Sequence, residues 1–173
     1  MGFIDRIALK RVEGRFRPFM RADERMIEYD IADVNPVGRQ IPVLLSSRAV
    51  YMGTQTVVRV PYARILQLES RGPALVAMST FSGKVFLINI TGTPTGDIYR
   101  TISFYLDKAV RHQQTVSVPG GQVHAACRQV DEDGSLTWVL GASDGVELDD
   151  GEVRSELAAE LAPVIERLNV PLP

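Results

Sequence analysis

The chain has 173 residues, 45% of them hydrophobic and 23% charged, with a net charge of −2 and one cysteine. That length fits one generous domain, or a domain with an appended unit, with enough apolar material for a core that needs neither disulfide nor metal. The balance lacks the basic surplus of a dedicated nucleic-acid binder, the lone Cys127 excludes an internal disulfide, and no run of about 18 apolar residues is present to span a membrane.

The charge is unevenly placed. Residues 1–25 hold seven basic groups against four acidic ones, whereas residues 131–160 hold ten acidic groups against Arg154 alone. Such polarity steers association when it is not simply a solvated face. Asp5, Arg6, Lys10 and Arg11 interrupt the first apolar positions, which argues against a secretory signal and makes the cytoplasm the expected location.

In residues 1–14, Ile4, Ile7, Ala8 and Val12 recur near helical spacing among Arg6, Lys10 and Arg11, predicting a basic amphipathic helix ending near Gly14. The period then changes to two. Ile27, Tyr29 and Ile31 alternate with Glu28, Asp30 and Ala32, as in a half-buried strand. A turn at Asn35-Pro36-Val37-Gly38 precedes IPVLL and AVYMG, two apolar runs joined by Ser46-Ser47-Arg48. TVVRV follows and stops at Pro61, which lacks a ladder donor. ILQLES, ALVAMSTF and KVFLINIT complete about seven short strands, a set that must close or sandwich on itself.

A helical stripe of Ile98, Ile102, Tyr105, Leu106, Ala109 and Val110 comes next, with Thr93 or Thr95 as the expected cap. One helix with a single apolar face, after a set of strands, suits the open end of a small barrel. From about residue 115 the expectation is a ββα piece. VHAACRQV and LTWVLGAS form a hairpin around Asp131-Glu132-Asp133-Gly134, and Asp149 or Asp150 caps a helix over 151–168. Val153, Leu157, Leu161, Val164, Ile165 and Leu168 form its buried side, and Pro163 is expected to kink or split it.

The middle of the chain resembles a bacterial pleckstrin-homology-like domain over roughly residues 20–112. The likeness rests on IPVLLSSRAVYMG, on VVRVPYARILQLES with its Pro-Tyr step, and on the strand pair and helix at 75–112. The resemblance implies a seven-stranded antiparallel β-barrel capped by one helix, an α+β fold. Here it would carry an N-terminal helix (1–20) and a C-terminal ββα extension (114–173). It also implies a module that binds proteins, peptides or lipids, or that oligomerises. Members that bind phosphoinositides carry several cations around the first inter-strand loop. In this chain residues 34–40 offer only Arg39, with Asp33 just before, so that route is not expected.

The candidate chemical motifs favour structural roles. His124 and Cys127 lie three apart, so in a strand they face opposite sides and do not converge on a metal. Asp131, Glu132 and Asp133 lack the spacing and distal glutamate of a calcium loop. Pro119-Gly120-Gly121 is too short to cradle a phosphate. Trp138 with Leu140, and Tyr51 with Tyr62, sit in apolar strand patterns that read as core. No nucleophile–base pair stands out, and no cofactor or small-molecule substrate is indicated.

The sequence therefore points to a non-catalytic binding or scaffolding module that meets a protein partner or self-associates. Arg39, Arg48, Arg59 and Arg64 are its candidate contact cations. The alternative is a peripheral membrane adaptor using Arg6, Lys10 and Arg11 on the first helix.

Overall fold

The computed structural model describes residues 11–72, 74–91, 97–130 and 132–173. Two compact units make up the chain, Met1–Asp107 and Lys108–Pro173. The class is α+β, and each unit carries its own antiparallel sheet.

In the first unit, β1 (Met26–Asn35), β2 (Gly38–Ser46), β3 (Ala49–Gly53) and β4 (Val57–Pro61) form one meander. A second meander comprises β5 (Ile65–Ser70), β6 (Leu75–Thr80) and β7 (Val85–Ile90). Pairing of β1 with β7 joins them into a seven-stranded sheet of order β4-β3-β2-β1-β7-β6-β5. The two edge strands are consecutive in sequence, linked only by a 3₁₀ turn at Tyr62–Arg64. Proline positions fit this pairing. Pro61 closes β4 as expected, and Pro42 lies in β2 just before the β2–β3 ladder starts at Val43. Gly53 is required at the β3–β4 turn: its φ is +129°, and a Cβ there would fall 2.1 Å from the Thr56 carbonyl oxygen.

Alternation along the strands sends one set of side chains into a common core. Ala32, Val34, Val43, Leu45, Val50, Met52, Ile65, Val76, Met78, Phe86 and Ile88 all enter it. Helix α1 (Ile98–Ala109) covers this cluster by burying Ile98 and Ile102. Tyr105 of the same helix stacks on Tyr62, with ring centroids 4.7 Å apart and planes 6° from parallel. The expected caps Thr93 and Thr95 lie outside the described residues. Asp97 fills the capping role instead, its Oδ1 accepting the Arg100 N–H at 2.9 Å. Val110, assigned above to the helical stripe, already belongs to a strand.

A second, smaller cluster forms on the other side of β2 and β3. Residues 11–16 are helical, so the first helix runs past Gly14. There Phe16, fully buried, and Val12 pack against Leu44, Ala49 and Tyr51.

The second unit differs from the expected ββα pattern by one strand. It is built from β8 (Val110–Val118), β9 (Gly121–Gln129), β10 (Leu136–Ala142) and α2 (Gly151–Leu168), with β9 central. Strand β8 escapes pattern reading because its inward positions begin with His112 and Gln114 before reaching Val116 and Val118. Helix α2 begins where predicted: Asp150 Oδ1 accepts the N–H groups of Glu152 (2.8 Å) and Val153 (3.1 Å).

Pro163 does not split α2. Its missing N–H removes one bond in a helix of 18 residues, while Val153, Leu157, Leu161 and Val164 hold both halves on one buried face. Trp138 lies in this core, as the apolar pattern suggested, and its Nε1–H donates to the Val170 carbonyl at 2.9 Å. The segment after α2 is thereby held against the same cluster. Leu161, fully buried at the centre of α2's inner face, tests the helix's role. Replacing it with alanine is expected to destabilise the second unit by about 2–5 kcal/mol, seen as faster amide exchange in β9 and β10 under urea.

Candidate functional site

The four predicted contact cations do not converge. Arg48 and Arg59 turn back onto the protein's own N-terminal segment, Arg39 lies beside the β1–β2 turn, and Arg64 sits in the link between β4 and β5. Arg6 and Lys10 lie outside the described residues, and Arg11 is exposed.

Arg48 pairs with Asp23, and Arg59 with the next residue, Glu24, at 3.6 Å. Glu24 is only 1% exposed, so its charge is offset almost wholly by protein groups. Its carboxylate accepts from the Ser46 hydroxyl, the Tyr51 hydroxyl at 2.9 Å and the Arg21 N–H at 3.1 Å. Arg59 Nε donates to the same Tyr51 oxygen at 2.8 Å, and its guanidinium lies 5.7 Å from the ring centroid. Burial is the main cause pushing the Tyr51 phenol up to about 12, with the Glu24 carboxylate adding and Arg59 opposing. From the other side, Arg17 donates to the carbonyls of Glu24 (3.0 Å) and Ala22 (3.2 Å). This network fastens the segment carrying Phe16 to the outer face of β2–β4. It uses two of the expected contact cations for that purpose.

A different surface emerges at Arg64. The Phe81 N–H donates to the Arg64 carbonyl at 3.1 Å, Ile65 pairs with Thr80, the Thr80 N–H donates to Lys84 O at 2.9 Å, and Val85 pairs with Ser79. Arg64, Leu66, Phe81, Lys84 and Val85 thus gather within a step or two of Thr80. All five are exposed: Leu66 38%, Phe81 37% and Val85 54% among the apolar ones, with Arg64 and Lys84 beside them. The break in β5–β6 register between Ile65 and Gln67 is what turns Leu66 out of the strand's alternation. Farther along β5 the edge is charged, with Gln67 and Arg71 both bonded to Glu69. Charged, locally satisfied side chains blunt that part of the edge against strand addition. The apolar end is left open. Sequence reading missed this rim, since Leu66 passes for a core position and Phe81 for the end of a strand.

Two other polar places are less developed. Arg39 lines a cleft of about 410 Å³ with Asp33, Asn35, Leu75, Leu87 and Asn89. Asp33 there accepts the Gln40 N–H at 2.8 Å. Beneath α1, Glu28 has one carboxylate oxygen buried without a hydrogen-bond partner among the described residues. Burial chiefly raises its carboxyl above the usual range; Asp97 and Asp30 add to this, and a hydrogen bond from Thr101 opposes it.

In the second unit His124 is exposed and bonded to Thr115 (2.7 Å), whereas Cys127 is fully buried in the core. The two lie on opposite faces of β9, as their spacing requires. Asp131 lies outside the described residues. Among the described residues, no three His, Cys, Asp or Glu side chains form a group that could hold a metal ion. No described helix is long and apolar enough to cross a membrane.

No family model matches the chain, and no curated protein is significantly similar to it.

Two outcomes test the polar groups. Glu24→Ala leaves the Arg59 and Tyr51 donors without their acceptor and is expected to cost about 3 kcal/mol. Limited proteolysis is then expected to cut the variant between residues 15 and 25 and to spare the native chain there. Glu28 acts in the opposite sense. Its folded pKa exceeds the unfolded one, so its contribution is fully present below the ordinary carboxylate range and is lost as pH rises through the raised folded value. Glu28→Gln should flatten that part of the stability–pH curve, measured by urea denaturation across the acidic range.

Proposed function

We propose that the first unit is a non-catalytic interaction module of the pleckstrin-homology-like type, and that the rim around Thr80 is its contact surface. The strand order supports the fold reading. Laid flat, the sheet would hold β4 and β5 roughly 29 Å apart at ~4.8 Å per strand. The chain from Pro61 to Ile65 spans at most about 15 Å. A sheet whose edges are tied so closely rolls towards a barrel, with α1 over its apolar interior.

The observation that carries the functional reading is the grouping of Leu66, Phe81 and Val85 with Arg64 and Lys84. Apolar residues scattered singly over a surface need no explanation, whereas a contiguous group rimmed by charge marks a site of association. Its chemistry suits a protein surface that offers small apolar groups and carboxylates. No strand addition is involved, because the far half of β5 is blunted. Val12 and Phe16 are committed to the protein's own sheet, which favours this surface over a lipid-facing N-terminal helix.

A photo-crosslinking amino acid placed at Phe81 or Val85 tests the assignment in cells that produce the chain. Adducts are expected from both positions, and none from the same probe at Arg39. Equal adducts at all three positions, or none at 81 and 85, would refute the reading.

A further inference from the structure

The segment after α2 reads Val170-Pro171-Leu172-Pro173. Each proline fixes its own φ at about −65°, lacks an N–H, and confines the residue before it to extended backbone. All four residues are therefore stiff and extended before they touch anything. At the prolines they offer only carbonyl acceptors, so they are poorly suited to joining the sheet as a strand.

The second unit holds this segment in a way that suits its chemistry. Trp138 Nε1–H donates to the Val170 carbonyl at 2.9 Å, and Arg154 Nη2 donates to the Pro173 carbonyl at 2.6 Å. An indole N–H and a guanidinium can only donate, and each finds an oxygen. On a polyproline-type helix of about three residues per turn, carbonyls three residues apart share one side. The Val170 and Leu172 side chains pack against the apolar cluster under α2. Beside Leu172 and Pro173 the groove continues as a cleft of about 670 Å³, walled by Leu140, Leu148, Leu157 and Ala158. The four residues fill only part of it. Asn169 ends α2 in the left-handed conformation (φ 53°, ψ 42°), so the segment can leave without unwinding the helix.

We propose that this groove is a docking site for a proline-containing segment of a partner protein, and that Val170–Pro173 occupies it as a displaceable strap. Stiff proline segments lose little entropy on binding and are read between proteins by aromatic-lined grooves. The partner has the chemistry of the strap: an apolar residue, proline, leucine and proline, with two carbonyls one turn apart for Trp138 and Arg154. Apolar residues flanking that segment fill the rest of the cleft. The tether gives the strap an effective concentration on the order of millimolar, which sets the threshold a partner must pass. The inference stands on the second unit alone and is independent of the rim around Thr80.

Titration of the full chain with the blocked peptide NVPLP tests it, read by the emission of Trp138, the only tryptophan. A chain carrying Pro171→Gly and Leu172→Ser has a loosened strap. It is expected to show a saturable change with a midpoint at least tenfold below that of the wild type. The peptide NVGSP, which carries the same two changes, should give none. Adding Arg154→Ala to the loosened chain should raise the midpoint at least threefold.

No saturable change in a loosened chain of native circular dichroism overturns the inference. So do equal responses to the two peptides, equal midpoints for loosened and wild-type chains, or a midpoint indifferent to Arg154. If the loosened chain loses its native circular dichroism, the wild type decides. A response to millimolar NVPLP and none to NVGSP then supports the groove, and no difference between them overturns it.

Discussion

Strands β2 and β3 are buried on both faces: every residue from Ile41 to Ser46 and from Ala49 to Gly53 is shielded from solvent. A sheet alone covers only the face it turns towards its own core. The inner side chains Val43, Leu45, Val50 and Met52 meet β6, β7 and α1, but Leu44 and Tyr51 point the other way and need a separate lid. Residues 11–25 supply that lid. Phe16 provides the apolar area, and the Glu24 carboxylate, bonded to Ser46 and Tyr51 and paired with Arg59, provides the anchorage. Burying a carboxylate is costly unless its lone pairs are filled, so the hydrogen bonds around Glu24 are a condition of this arrangement.

The other half of the sheet receives no such lid among the described residues. Around the β6–β7 turn, Leu66, Phe81 and Val85 stay exposed. Exposed apolar side chains occur on the lid side too, at Phe19 and Ile27, so the lid covers Leu44, Ala49 and Tyr51 rather than the whole of that face.

Much of this was legible in the sequence. Continuous apolar runs at IPVLL and AVYMG mark two strands, and Pro61 and Gly53 place breaks, but the alternation in β1 pointed to the wrong face: Asp30, Ala32 and Val34 are buried, while Ile27 is 43% exposed and Tyr29 packs against the Phe16 cluster. Helix α2 was readable in extent and in most of its buried stripe, with the cap narrowed to Asp149 or Asp150, but Ile165 and Leu168 are only half-buried. The failures share a cause, which is that partners distant in sequence decide them. Glu24 sits in the charged run RADER and looks solvated until Ser46 and Tyr51 close over it. Arg48 and Arg59 look available for the same reason. Strand β8 pairs polar inward positions with a neighbour that has the hydrophobic pattern, so only the pairing reveals it. The register break at Ile65–Gln67 moves Leu66 to the surface, and nothing local announces it.

The distribution of ring types has a practical consequence. All five tyrosines, Tyr29, Tyr51, Tyr62, Tyr99 and Tyr105, belong to the first unit, and the single tryptophan, Trp138, belongs to the second. The indole is buried and bonded to the Val170 carbonyl, so its emission follows the packing of α2 and of the segment after it. Phenol absorbance follows the sheet and its lid. Each unit thus carries its own chromophore, and the melting of one is optically distinguishable from the melting of the other in the unlabelled chain.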